Sequence, residues 1–346
     1  MKKGQIAIGK VLYSEFPNMG VVLADTVEGV PVNDTEQEEV LIRVKNTIPG
    51  QRVEVRLVKK RNGSWRGNLQ NVIEKSKEET KPGEEDCDFY GLTVFSDKPY
   101  CGSCLYRTLP YEEELKIKSD QIKRLLSPVI PDFDYVFEGV TGTKKTDHYR
   151  NKMELSFGDD RPGGELLLGL HRRGSMYDII SCSGCKLMHP DMDKARRITE
   201  SFFRESQIPY LHKRTHEGYL RHLLLRRSLS TGELIIGLVT TTQSPFSESS
   251  SDGYDRSEDK MLGAYTKAVL NEDYEGSIAG IIHIKNDRLG DVVVNEGLDI
   301  LYGRDHITES VLGLEFKITP FSFFQTNTEG AGILYSKARE YIKDAL

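Results

Sequence analysis

Five cysteines, Cys87, Cys101, Cys104, Cys182 and Cys185, set the tightest limit on what this chain can fold into. Four of them form two close pairs, Cys101-Gly102-Ser103-Cys104 and Cys182-Ser183-Gly184-Cys185. Two intervening residues let both sulfurs of a pair reach one ion or cluster. The pairs are 77 residues apart, so a shared site closes only if distant segments meet. On spacing alone a four-thiolate zinc site ranks first, although its internal gap exceeds the roughly 15–20 residues of common zinc motifs. Free thiols packed as small apolar groups are the plain alternative. The count is odd and the opening residues, MKKGQIAIGKVLYSEF, hold no apolar run of signal-peptide length. Both point to a reducing cytoplasm. No stretch approaches the roughly 20 apolar residues of a membrane span.

Residues 1–74 read as short strands between turns. Arg52 to Val58 alternates strictly, with Val53, Val55 and Leu57 facing one way and Arg52, Glu54 and Arg56 the other. Asn62-Gly63 marks a hairpin into Trp65-Arg66-Gly67-Asn68-Leu69. Five such strands suggest a small barrel of the oligonucleotide-binding kind. A polar, acidic stretch at 75–86 has nothing apolar to bury and reads as a linker. A helix is expected over 111–126, with Leu115, Ile122 and Leu126 on one face. Hairpins are expected at 152–157 with 166–171 and at 220–227 with 234–240, and helices at 191–204 and 257–270. Ser247 to Asp255 reads as a polar loop. A last helix after Asn327 is expected to bury Leu334, Ala338, Tyr341 and Ile342.

The whole-chain charge of −6 hides an asymmetry. Between Arg43 and Lys77 ten lysines and arginines face two acids, a local charge of +8. Such a field attracts phosphates whatever the chain's total charge. Arg56, Lys59, Lys60, Arg61 and Arg66 are the candidate contacts there. Trp65, the single tryptophan, either stacks a base or plugs the barrel's end. His148, His171, His189, His216 and His222 show no metal-binding spacing.

Several segments resemble the bacterial 23S ribosomal RNA (uracil-5-)-methyltransferases that carry a TRAM domain and a [4Fe–4S] cluster. They are Cys101-Gly102-Ser103-Cys104-Leu105-Tyr106, Tyr149 to Phe157, Cys185-Lys186-Leu187-Met188, Leu220 to Arg226 and Phe323-Phe324-Gln325-Thr326-Asn327. The resemblance implies an α+β multidomain protein. A TRAM barrel would span 1–74, a linker 75–86, and a central cluster- and RNA-binding domain 87–317. Residues 318–346 would begin a Rossmann-type methyltransferase domain, with helix 111–126 packing on that domain. It implies cluster ligation by Cys87, Cys101, Cys104 and Cys185, with Cys182 as the alternative to Cys185. It implies contact of Gln325 with S-adenosylmethionine. RNA contacts would come from Arg150, Lys152 and Arg221, with Arg172, Arg173, Arg226 and Arg227 as further candidates. The barrel and cluster together point to 23S ribosomal RNA over transfer RNA.

Two departures from that pattern stand out. Thirteen residues separate Cys87 from Cys101, where the family has about five. No G-x-G-x-x-G and no Asp-Pro-Pro occurs, and no cysteine stands in a catalytic context. The expectation is therefore a chain that stops before the catalytic domain and does not methylate alone, its apolar helix faces prone to self-association. A standalone RNA-binding module, stabilised by zinc or a cluster, is the rival. The tight C-x3-C-x2-C of radical S-adenosylmethionine enzymes is absent.

Overall fold

The structure, a computed structural model, describes residues 1–32, 39–83, 86–94, 97–130, 136–246 and 257–344. The expected loop at 247–255 lies outside the described residues. Two compact units divide the chain, Met1–Gly142 and Thr143–Leu346. The fold is mixed α/β.

The first unit is built on β1 (Ile6–Glu15), β2 (Met19–Val27), β3 (Val30–Pro31), β4 (Leu41–Lys45), β5 (Arg52–Arg61) and β6 (Ser64–Glu74). The strands lie in the order β1-β5-β6-β4-β2-β3, and β1 also pairs with β2. Five strands therefore close on themselves, with β4 and β6 parallel and the other closing pairs antiparallel. That is the connectivity of a five-stranded Greek-key barrel, and closure removes the open edges that invite aggregation. Register shifts in β1 at Ile8/Gly9 and Val11/Tyr13 give the strand the bend that lets it serve two partners. Val53, Val55 and Leu57 point inward as the alternation requires, joining Val11, Val22, Ile42 and Val44 in the core.

The stretch at 75–86 does not separate two bodies. Glu79 accepts from the Ser76 amide and Gln51 Nε2, both at 2.8 Å, and from the Thr108 hydroxyl at 2.8 Å. Tyr90, Leu92, Tyr106 and Leu109 then add to the barrel's own core. The division falls instead between Gly142 and Thr143. Helix α1 (Tyr111–Leu126) has the expected bounds but lies on β1. Its inner face centres on Ile117 and Gln121, not on Leu115, Ile122 and Leu126. Gln121 is buried and donates to Ser14 Oγ at 3.0 Å, while Ile117 meets the barrel core.

The second unit holds β7 (Lys152–Gly158), β8 (Leu167–His171), β9 (Ile179–Ser181), α2 (Pro190–Ser206), β10 (Leu220–Arg227), β11 (Glu233–Thr240), α3 (Glu258–Leu270), β12 (Ser277–Lys285), β13 (Gly297–Gly303), β14 (Ile307–Val311), β15 (Leu314–Ile318) and α4 (Thr328–Asp344). Seven strands form one sheet, β13-β12-β11-β10-β7-β8-β9. Helices α2 and α3 cover one face, where Met153, Leu155 and Phe157 of β7 meet Phe203 and Tyr265. The β14–β15 hairpin covers part of the other face, over Leu224, Ile235, Val239, Ile282 and Ile284. Strand β10 is buried along its whole length because both of its faces are covered. The face of α4 expected to be buried is open: Leu334 is 56% exposed, Tyr341 55% and Ile342 59%.

Gly9 sits where β1 crosses β2, and a Cβ there would stand 2.1 Å from the Leu23 carbonyl oxygen. Backbone cannot yield as a side-chain end can. Gly9→Ala is expected to lower stability by about 1–3 kcal/mol, read as a lower urea midpoint at unchanged slope.

Candidate nucleic-acid interface

The β5–β6 hairpin concentrates positive charge. Lys59 stands opposite Arg66 across the ladder, Lys60 opposite Trp65, and Arg66 also neighbours Arg43 on β4. Like charges placed opposite each other weaken a sheet. Two of the basic residues of this region are neutralised: Arg43 by Glu15 at 2.8 and 2.9 Å, and Arg52 by Asp25 at 2.5 Å. Lys59, Lys60, Arg61 and Arg66 have no carboxylate partner among the described residues. Arg56, Lys59, Lys60 and Arg61 are exposed, and Arg56 donates to Gln70 Oε1 at 3.2 Å. Trp65 is half-buried against the barrel core, so its ring serves packing first.

In the second unit the basic candidates part company. Arg221 is 4% exposed and spends its guanidinium on the carbonyls of Asn286 (2.6 Å), Arg288 (2.7 Å) and Gly290 (2.9 Å). It pins the loop 286–296 and is closed to RNA. Arg226 is 3% exposed; Nε donates to the Pro320 carbonyl at 3.2 Å and Nη2 to that of Ser322. Burial pushes its pKa down to about 10, so it stays charged at neutral pH. Arg227 is buried beside Asp191 at 3.0 Å, and Arg173 is buried as well. Arg150 and Arg172 are half-buried, and Arg150 bridges Asn327 and Met188 through its backbone. Lys152 keeps its side chain in an open groove, 3.5 Å from Glu154.

Gln325 lies on a loop tied down from both sides. Arg226 holds Pro320 and Ser322, and buried Asn151 donates through Nδ2 to the Gln325 carbonyl at 2.8 Å and to Thr328 Oγ1 at 2.9 Å. Asn327 caps α4 by accepting from the Gly330 amide at 2.9 Å. Gln325 itself is half-buried.

The cysteines are distributed over both units. Cys87 and Cys104 pack half-buried against the barrel core, and the Cys101 amide donates to the Phe89 carbonyl at 2.7 Å. Cys182 is in the second unit's core, with Cys185 at its margin. None of the five is joined in a disulfide. Among the described residues no group of three or more His, Cys, Asp or Glu is placed to hold a metal. Of the donors named for a cluster, Cys87, Cys101 and Cys104 belong to the first unit and Cys185 to the second.

One titrating cluster gave no signal in sequence spacing. Asp291 Oδ2 lies 3.3 Å from His171 Nε2 and 2.6 Å from Lys213 Nζ, and Oδ1 lies 3.9 Å from His222 Nε2. The His171 hydrogen bond, with Lys213 beside it, holds the Asp291 carboxyl well below the usual carboxylate range. Burial pushes His222 down to about 4, and its Nδ1 meets Ser156 Oγ at 3.2 Å.

Relatives share this chain's full extent. An uncharacterized RNA methyltransferase of Clostridium tetani is 37% identical over 346 residues, covering 100% of this chain and 67% of its own length. Another, from Caldanaerobacter subterraneus subsp. tengcongensis, is 38% identical over 345 residues, 99% of this chain and 68% of its own. The chain belongs to the RNA methyltransferases. A third relative, from Clostridium acetobutylicum, is 34% identical over 95% of this chain and 64% of its own length. No family model matches the chain. Among solved structures, the Pyrococcus abyssi tRNA (uracil-54, C5)-methyltransferase in complex with S-adenosyl-L-homocysteine has a TM-score of 0.64 at 20% identity. It shares the fold over 96% of this chain and 65% of its own. Among the described residues no helix is long and apolar enough to cross a membrane.

A buried imidazole that stays neutral costs stability in acid, because the unfolded chain takes up the proton first. With His222 near 4 folded against 6.5 for a free imidazole, stability is fully present above about pH 6.5 and declines toward pH 4. His189 and His283, also lowered by burial, act in the same direction. His222→Gln is expected to flatten the decline in urea midpoint between pH 6.5 and 4.

Proposed function

We propose that this chain is the RNA-recognition part of an S-adenosylmethionine-dependent uracil-C5 methyltransferase acting on 23S ribosomal RNA. One observation carries the reading: a closed five-stranded barrel whose β5–β6 hairpin keeps Lys59, Lys60, Arg61 and Arg66 without carboxylate partners, in a chain of the RNA methyltransferases. A polyanion relieves that repulsion, and phosphates are the polyanion such a family acts on. The barrel is read as a TRAM domain on its topology. Likeness in fold to a uracil-C5 methyltransferase holding S-adenosyl-L-homocysteine supports the reaction class and the cofactor. That enzyme acts on tRNA, which makes transfer RNA the second reading.

Uracil C5 is a poor nucleophile. A thiolate adds at C6, and the resulting enolate takes the methyl group from the donor's sulfonium, which departs as a thioether. A base then removes the C5 proton as the C6–S bond breaks and releases the thiolate. None of the five cysteines here stands beside an Asp-Pro-Pro segment, and the Gly-rich cofactor loop is absent from the sequence. This chain's contribution to the cofactor is Gln325, on the loop that Arg226 and Asn151 fasten. We therefore assign RNA binding to this chain and the methyl-transfer chemistry to other residues.

Anisotropy with a 23S fragment, against a transfer RNA, tests the reading. The triple variant Lys59→Glu, Lys60→Glu, Arg61→Glu is expected to weaken binding about 100-fold. It should also lower the slope of log K against log salt by about 2, at roughly 0.7–0.9 per lost phosphate contact. Unchanged affinity and slope would reject the barrel as the RNA-binding surface. Incubation of the chain with labelled S-adenosylmethionine and RNA should leave the RNA unmethylated.

The [4Fe–4S] cluster belongs to the same reading. It rests on the flanking residues of Cys101, Cys104 and Cys185, with Cys87 as the remaining ligand. Anaerobically purified chain is expected to carry about four iron and four sulfide with broad absorption near 400 nm. One zinc and no iron would replace the cluster by a zinc site.

A further inference from the structure

On the face of the second sheet opposite α2 and α3, the segment just after β15 and the loop 286–296 leave a gap. It is a groove of about 440 Å3, open to solvent, within the size range of small-ligand sites. Leu224 forms an apolar floor, Pro320 and Phe321 line one side, and Asn295 the other. Phe321 is 38% exposed, so its ring is open to a flat partner. Lys152 and Glu154 point up from β7, with Lys152 Nζ 3.5 Å from Glu154 Oε2. Strand alternation puts them there: Met153 and Leu155 between and beyond them enter the helix-covered core.

A ring face beside an acceptor and a donor is how proteins read an unstacked base along its Watson–Crick edge. A carboxylate has two acceptor oxygens and is best filled by two neighbouring N–H groups. Among the four RNA bases only guanine offers two adjacent N–H groups, N1–H and N2–H, next to a carbonyl, O6. We infer that this groove takes an unpaired guanine of the RNA, with Glu154 accepting from N1–H and N2–H, Lys152 donating to O6, and Phe321 stacking on the ring. The inference rests on the RNA-binding reading above and names one base that reading leaves open.

The test uses the full chain and a labelled single-stranded oligouridine carrying one guanine, with inosine replacing guanine in a second RNA. Inosine lacks only the N2 amine. Wild-type protein is expected to bind the inosine RNA about tenfold more weakly than the guanine RNA. Glu154→Gln should lose about tenfold on guanine and show almost no difference between guanine and inosine, while binding plain oligouridine as the wild type does. Phe321→Ala should weaken guanine and inosine RNAs equally, since stacking does not need the amine. Glu154 is exposed, so its replacement leaves the fold intact, and unchanged thermal unfolding verifies this. Equal binding of guanine and inosine by the wild type, preference for uridine over guanine, or an inosine penalty that survives in Glu154→Gln would each overturn the inference. Failure of the wild type to bind any of these RNAs or the 23S fragment would instead overturn the RNA-binding reading itself.

Discussion

Arg226 carries a charge into the interior of the second unit with no carboxylate beside it among the described residues. Desolvating a guanidinium is costly unless its N–H groups are matched by acceptors. The acceptors here are carbonyls of the loop that follows β15, those of Pro320 and Ser322. That loop cannot leave the sheet without stranding the cation. Asn151, one residue before β7, grips the same loop further on through the Gln325 carbonyl and the first residue of α4. Glu309 of β14 completes the anchorage, accepting from Thr328 at 3.1 Å and from the Leu229 and Ser230 amides. The placement of Gln325 and Phe321 thus follows from three buried side chains, Arg226, Asn151 and Glu309, not from a strand or helix of their own.

The barrel solves the opposite problem. Its cations are kept apart from acids on purpose of position: Glu15 and Asp25 on β1 and β2 quench Arg43 and Arg52, and the β5–β6 turn is left to repel itself. The ladder and the inward Val53, Val55 and Leu57 hold the hairpin against that repulsion. This surface, whose charges leave the barrel at positions set by strand register, has no carboxylate partner for Lys59, Lys60, Arg61 or Arg66 among the described residues. It contrasts with the second unit, where Arg221, Arg226 and Arg227 are consumed by carbonyls and by Asp191.

How far the sequence could be read follows from which forces act locally. Alternation is local and made the strand at 52–58 legible; the turns at 160–164 and 230–232 did the same for the strands at 152–157 and 220–227, and an acidic start with Pro128 beyond the end for the helix at 111–126. The run at Ser277–Lys285 is apolar on both faces because β12 lies inside the sheet, so it lacks a period that distinguishes strand from helix. Strand β13 exposes most of its residues and shows no apolar stripe. The acidic stretch at 75–86 looked unstructured by composition, yet Glu79 binds three groups brought by Gln51, Ser76 and Thr108. Leu334, Tyr341 and Ile342 make a real stripe on α4, but a stripe records only that a face is apolar, not that something covers it. Arginine identity likewise says nothing of where the guanidinium ends. Cysteine spacing brings two sulfurs of a pair together and leaves the meeting of pairs to the tertiary fold.

The groove on β7 owes its shape to the same kind of long-range charge. Its Val293–Asn295 wall has no strand ladder of its own; the loop 286–296 is held by Arg221 on three carbonyls, by Asp287 accepting from the Thr242 amide and hydroxyl at 2.8 Å, and by Asp291 among His171, Lys213 and His222. Each of these partners comes from β8, β10 or a segment between 211 and 242, so the wall is set by the sheet it covers. Lys152 and Glu154 rise from that same sheet, on β7 between β10 and β8. Floor and wall therefore share one rigid reference, which is what a site that discriminates between base edges requires: a shift of half an ångström in either would turn a matched donor and acceptor pair into a mismatched one.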